Sequence, residues 1–191
     1  MNRKISASDI YDSALKGIYR QGFKATTMRG IAADIGIEAA TIYNYVDSKQ
    51  ELLETMLFSI ADKFLEGISN IDSSSYSPID KIKQFVALNI DLSRSNPYQV
   101  SLLVNEWRHL DAEKQKKFVA HRNRYEMIVE KLLREAVDCG VLRDVDLEIL
   151  KNSILSTVRW LFSWIPENKE KINPVEMEKQ ILDLILNGIS K

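Results

Sequence analysis

The chain has 191 residues, 45% of them hydrophobic and 28% charged, with 26 Lys and Arg against 27 Asp and Glu and a formal net charge of −1. That balance suits one domain of ordinary size, or a small and a medium one with real cores, and excludes a mainly disordered chain. No apolar run approaches the ~20 residues of a membrane span; no apolar segment follows the N-terminal charges; and the lone cysteine, Cys139, excludes a disulfide framework and a thiolate zinc cage, so a cytoplasmic protein with no membrane partner is expected.

Apolar residues recur at spacings of three and four along most of the chain, so an all-α fold of about nine helices is predicted. In chain order they fall near 7–21, 28–35, 39–45, 49–70, 78–95, 97–109, 112–138, 146–165 and 174–189. Ser77-Pro78, Asn96-Pro97 and Asn173-Pro174 each place a cap residue before a proline at the first helical position, and Glu176 makes the last a capping box. Asp72-Ser73-Ser74-Ser75 is a loop, and Gly140 is the left-handed terminator of the helix before it. Charge is uneven: residues 1–31 carry six basic against two acidic side chains, a net of +4, and residues 32–55 one against five, a net of −4. A basic footprint is therefore local to the N-terminal end.

Residues 27–46 form two short helices around one glycine. Met28, Ile31, Ala32 and Ile35 are the buried stripe of the first, Gly36 permits the sharp turn, and Ile37 plugs the corner. Ile42 and Val46 are the buried side of the second, which leaves Ala39, Thr41, Tyr43, Asn44 and Tyr45 outward. Small side chains let a helix backbone approach a surface, Thr and Asn hydrogen-bond base edges, and Tyr hydroxyls reach phosphates; this is the profile of a helix-turn-helix recognition helix. Gly22-Phe23, Thr26-Thr27-Met28, Ile31-Ala32, Gly36-Ile37, Thr41-Ile42-Tyr43 and Ser48-Lys49, at these spacings over roughly residues 8–55, resemble the DNA-binding domain of the tetracycline-repressor (TetR) family. The resemblance implies that Thr27 caps the first motif helix and touches a phosphate, that Tyr43 and Tyr45 grip the backbone, that Lys49 pairs with a phosphate, and that Ala39, Thr41 and Asn44 face bases. Glu38, Ala40 and Val46 stand where the family usually has Ser, Gly and Phe.

Along 112–138, Phe118, Arg122, Tyr125, Val129, Leu132 and Ala136 form a seam at steps of four and three. Arg122 interrupts it: either an internal ion pair (Glu106 is a candidate), a ligand's carboxylate or phosphate, or a snorkelling side chain answers its charge. In 97–110, Val100, Leu103, Val104 and Trp107 face inward, and His109 and His121 lack metal-ligand spacing, so no metal is expected. The last two helices are apolar on two faces. Leu147, Leu150, Ile154, Val158, Leu161 and Ile165 make one stripe, and Ile149, Ser153, Ser156, Trp160 and Trp164 a second. Met177, Ile181, Leu184 and Ile185 oppose Leu182, Leu186 and Ile189. One chain of this size does not bury all four faces, which points to a homodimer with two helices from each chain.

The family resemblance implies the same dimer, a helix-turn-helix domain over 1–48, and a ligand-binding and dimerisation domain over 49–191. It further implies a repressor released from a palindromic double-stranded operator when a small effector moves the helix over 49–70. Around Glu106-Trp107-Arg108, Arg122 to Glu126, Gly140 to Arg143 and Trp160 to Pro166 the chain is similar to members that answer acyl-CoA thioesters, which implies an effector site of Trp107, Arg108, Arg122, Tyr125 and Trp160; core or interface tryptophans are the other reading. No nucleophile–base–acid set, glycine-rich phosphate loop or metal-spaced cluster is present, so neither an enzyme nor a cofactor is expected. A helical interaction module with a degenerate DNA-binding head is the alternative, and the acidic stretch 32–55 is its support.

Overall fold

Ser6 opens the first helix. In this computed structural model, which describes residues 5–168 and 173–188, its hydroxyl accepts from the Asp9 amide at 3.3 Å while the Asp9 carboxylate accepts from the Ser6 amide at 2.9 Å, a reciprocal cap that starts α1 (Ala7–Ala25). The helix overruns its predicted end at residue 21. Gly22, at φ 81° and ψ 161°, kinks it, and a last turn follows to Ala25. Next come α2 (Met28–Asp34), α3 (Ala39–Ile42), α4 (Lys49–Ser73), α5 (Pro78–Ser95), α6 (Pro97–Asn105), a 3-10 turn (Trp107–His109), α7 (Ala112–Asp138), α8 (Leu147–Arg159), α9 (Leu161–Glu167) and α10 (Pro174–Asn187). The described residues are thus all-α.

Differences from the predicted elements have local causes. The predicted helix 97–109 breaks at Glu106, whose φ −110° and ψ −7° tighten the chain into the 3-10 turn. The predicted helix 146–165 divides at Trp160, where the indole donates to the Thr157 carbonyl at 2.6 Å. Asn173 caps α10 by accepting from the Val175 and Glu176 amides, but the Glu176 carboxylate accepts from Gln180, one turn on, rather than closing the expected box. Ile189 lies outside the described residues.

Packing divides the chain into two units. The first is the chain up to Ala61 with Tyr98–Val119; the second is Asp62–Pro97 with the chain from Ala120 onward. Two helices are longer than one core can use. α4 gives Leu52, Leu53 and Leu57 to the first core and Ile68 to the second, and α7 gives Phe118 to the first and Val129, Leu132 and Leu133 to the second. The first core gathers Ile10, Ala14 and Ile18 of α1 against Ile31, Ile42 and Val46. The second gathers Ile82, Phe85 and Val86 of α5 against Ile154, Val158, Leu161 and Ile181.

Candidate nucleic-acid interface and effector residues

Thr27 begins the motif. Its hydroxyl accepts from the Gly30 amide at 3.0 Å and caps α2. Gly36, at φ 73°, turns the chain as only glycine does without strain, and its amide returns to the Ala33 carbonyl. Glu38 precedes α3 without a side-chain cap bond, and α3 is a single turn where 39–45 was predicted. Ile42 and Val46 are buried beneath it. Tyr43 and Tyr45 are 54% and 42% exposed, Asn44 is exposed, and Ala39 and Thr41 are half-buried. The outward face is therefore small, polar and aromatic, with Arg20, Lys24 and Arg29 exposed on the neighbouring helices. Tyr45 donates its hydroxyl to the Ile5 carbonyl at 3.3 Å.

Lys49 is placed differently from Tyr43 and Asn44. Its ammonium donates to the Phe23 and Thr26 carbonyls, each at 2.7 Å, and sits 4.2 Å from the Phe23 ring centroid. Burial pushes its ammonium below the ordinary lysine value.

Of the five expected effector residues, two belong to the first unit. Trp107 stacks on Phe118 at 5.8 Å in the first unit, and the Arg108 guanidinium lies 4.7 Å over the Trp107 ring. The other three belong to the second unit. Tyr125 packs its ring against Phe64 and Phe85 and exchanges hydrogen bonds with Asn89. Trp160 is exposed and meets Trp164 edge to face at 5.4 Å. Arg122 does not interrupt a buried seam. Its side chain is 44% exposed and lies 3.7 Å from Glu126, one helical turn away, because α7 turns that position outward. The Glu106 carboxylate accepts from the Phe23 amide and faces His109. His121 meets Asp62 at 2.9 Å.

Sequence reasoning missed two polar groups and the partner of a third. Asn89 sits on the buried stripe of α5 between Phe85, Val86 and Ser93, and its spacing from those residues carried the signal. Lys151 is buried on α8 and bonds Glu148 at 2.5 Å, which raises its ammonium above the ordinary value. Glu106 was considered only for Arg122, because its partner Phe23 is 83 positions away and leaves no local pattern. Among the described residues no group of three or more His, Cys, Asp or Glu could hold a metal, and no helix is long and apolar enough to cross a membrane.

The family model described as "Bacterial regulatory proteins, tetR family" matches residues 10–56, and "Tetracyclin repressor-like, C-terminal domain" matches residues 75–189. The HTH-type transcriptional repressor KstR2 of Mycolicibacterium smegmatis is 28% identical over 178 residues, covering 90% of this chain and 84% of that one. Among solved structures, the TetR family regulator PfmR of Thermus thermophilus superposes with a TM-score of 0.83 at 23% identity, covering 95% and 99% of the two chains. AibR, solved with isovaleryl coenzyme A and operator DNA, does so with a TM-score of 0.81 at 21% identity, covering 94% and 97%. The helix-turn-helix built around Gly36 and the two family matches, of which the second spans more than half the chain, have one meaning: the protein is a DNA-binding transcriptional regulator of the TetR family, not an enzyme.

Proposed function

We propose that this regulator is a homodimeric repressor that occupies a palindromic operator and leaves it when a small apolar effector binds. The observation that carries the reading is the outward face of α3 and of the turn after it, where Ala39, Thr41, Tyr43, Asn44 and Tyr45 stand over the buried Ile42 and Val46. Ala39, Thr41 and Asn44 are assigned to base edges, and Tyr43, Tyr45 and Thr27 to the backbone. The dimer is supported by large apolar side chains left in water along the C-terminal helices. Ile149 of α8, Trp160 at the break, Trp164 of α9, and Val175 and Leu184 of α10 are between 37% and 76% exposed. A twofold axis through such a surface presents two copies of α3 to successive major grooves.

For the effector, the reading rests on the second unit. Tyr125 and Asn89 are a polar pair set in an apolar core, where an effector's carbonyl would accept from the Tyr125 hydroxyl in exchange for its bond to Asn89, and Arg122 is exposed beside Glu126 where an anionic head group would meet it. AibR's partner, isovaleryl coenzyme A, supports an acyl-CoA as the class to test first. Trp160 is assigned to the dimer surface, Trp107 to the edge of the first core, and the exposed Arg108 to the cover of its ring. The test is binding to a duplex enriched from a random pool by the wild-type protein, with salt and acyl-CoAs as variables. Binding that weakens steeply with salt and is released by an acyl-CoA supports the reading. No enrichment of any duplex supports the interaction-module alternative, and enrichment without release by any acyl-CoA removes that effector class.

A further inference from the structure

The kink in α1 leaves the amide of Phe23 out of the helical ladder, and it finds its acceptor on Glu106, at 3.4 Å. The carbonyl of the same residue accepts from Lys49, which also takes the Thr26 carbonyl. Both polar groups of one buried residue are thus held by side chains of opposite charge from two other elements of the first unit. We infer that Lys49 and Glu106 are positioning residues for operator recognition, fixing the elbow of α1 on which α2 and α3 are mounted. This rests on the reading of α3 as the DNA-facing helix.

The mounting is direct. Thr26 is buried and bonds back to the Gly22 carbonyl through both its amide, at 3.3 Å, and its hydroxyl, at 3.0 Å. The next residue, Thr27, is the cap of α2. A shift at Phe23 or Thr26 is therefore carried into the start of the motif within a few bonds. Glu106 can serve as a fixed point because its own corner is held on several sides. Gln50 donates to the His109 carbonyl, and Gln115 donates to the Arg108 and Leu110 carbonyls, all at 2.8 Å. The His109 ring stacks on Phe23 at 5.6 Å.

This assignment competes with a phosphate contact by Lys49, and the two differ in measurable ways. A lysine that neutralises a phosphate releases a counterion, so its loss flattens the dependence of log K on log salt by about one per contact. A lysine that only holds the elbow changes affinity at every salt concentration and leaves the slope alone. It also changes the protein without DNA.

The experiment uses the full-length wild type, Lys49→Met and Glu106→Gln. Binding to the enriched duplex is followed across a salt series, and amide hydrogen exchange of the 20–27 segment is followed in the free protein. Expected are a roughly tenfold loss of affinity for Lys49→Met with a parallel salt slope, a smaller loss for Glu106→Gln, and faster exchange at the elbow in both. A flattened slope with unchanged exchange in Lys49→Met overturns the assignment of Lys49. Wild-type affinity and exchange in Glu106→Gln overturn that of Glu106. If Lys49→Met does not fold, Glu106→Gln, which removes a charge but little volume, decides the matter. Should the wild type enrich no duplex, the DNA reading fails by itself, and the exchange arm still reports whether the struts hold the elbow.

Discussion

Asn89 donates to the Tyr125 hydroxyl at 3.2 Å, linking the middle of α5 to α7 inside an otherwise apolar core. The Asn89 amide also reaches the Phe85 carbonyl at 2.8 Å, so its donors are used on both sides. Tyr125→Phe is expected to cost about 1 kcal/mol, because one buried hydrogen bond is lost while the ring stays. Asn89→Ala is expected to cost about 1–3 kcal/mol, since it also strands the hydroxyl and opens space. The double variant should lose less than the sum, with a coupling near 1 kcal/mol in chemical denaturation. Additive losses would mean that the two side chains are independent.

The same pair sets a pH dependence. Burial pushes the Tyr125 hydroxyl above its ordinary value, although its bond to Asn89 acts in the other direction. The folded state therefore keeps a proton that the unfolded chain loses above pH ~10. Below that pH the contribution is fully present; as pH rises further it falls away, by up to about 1.4 kcal/mol per pH unit. Denaturation midpoints of wild type and Tyr125→Phe should converge at high pH. Parallel curves would count against a buried, protonated hydroxyl.

Thr41→Ala and Tyr43→Phe separate two kinds of contact at α3 and its C-cap. Thr41→Ala is expected to weaken the enriched duplex by about 1–3 kcal/mol and to relax preference at one base position. Tyr43→Phe should weaken all duplexes alike. Neither should alter sedimentation or melting, because Tyr43 is exposed and Thr41 only half-buried. Anisotropy with single-base variants of the duplex reads both.

Trp164→Glu places a charge in the exposed stripe shared by Ile149 and Trp160. The expected result is a monomer in analytical ultracentrifugation, with weaker operator binding and unchanged half-site preference. A dimer that survives the substitution would move the interface elsewhere.

Gly22→Ala tests the kink. A Cβ there would lie 3.7 Å from the Glu106 carboxylate, so space is available, but φ 81° with ψ 161° is a conformation that only glycine adopts readily. A loss of about 1–3 kcal/mol is expected, which for a chain of this size lowers the melting temperature by several degrees. Unchanged melting would mean that the backbone relaxes away from the kink without cost.

Local rules made most of the fold legible. The caps at Ser77 and Asn173, the turn at Gly36 and the inner stripe through Ile154, Val158, Leu161 and Ile165 all follow from side chains within a few residues of one another. The site was legible where a pattern is local, as for Ile42 and Val46 under α3, and illegible where a partner is distant. Nothing near Lys49 shows that two carbonyls of α1 hold it, and nothing near Arg122 shows that α7 turns it to Glu126 on an exposed face. Division at Trp160 escaped because an indole bonding a carbonyl leaves no Pro or Gly to mark it.

A probe one turn long has little to do with keeping the protein folded. In α3 only Ile42 is buried, and no side-chain hydrogen bond from Thr41, Tyr43 or Asn44 is found among the described residues. Substitutions on the outward positions can therefore accumulate without destabilising the scaffold, so relatives sharing one architecture are free to drift toward different operators after gene duplication.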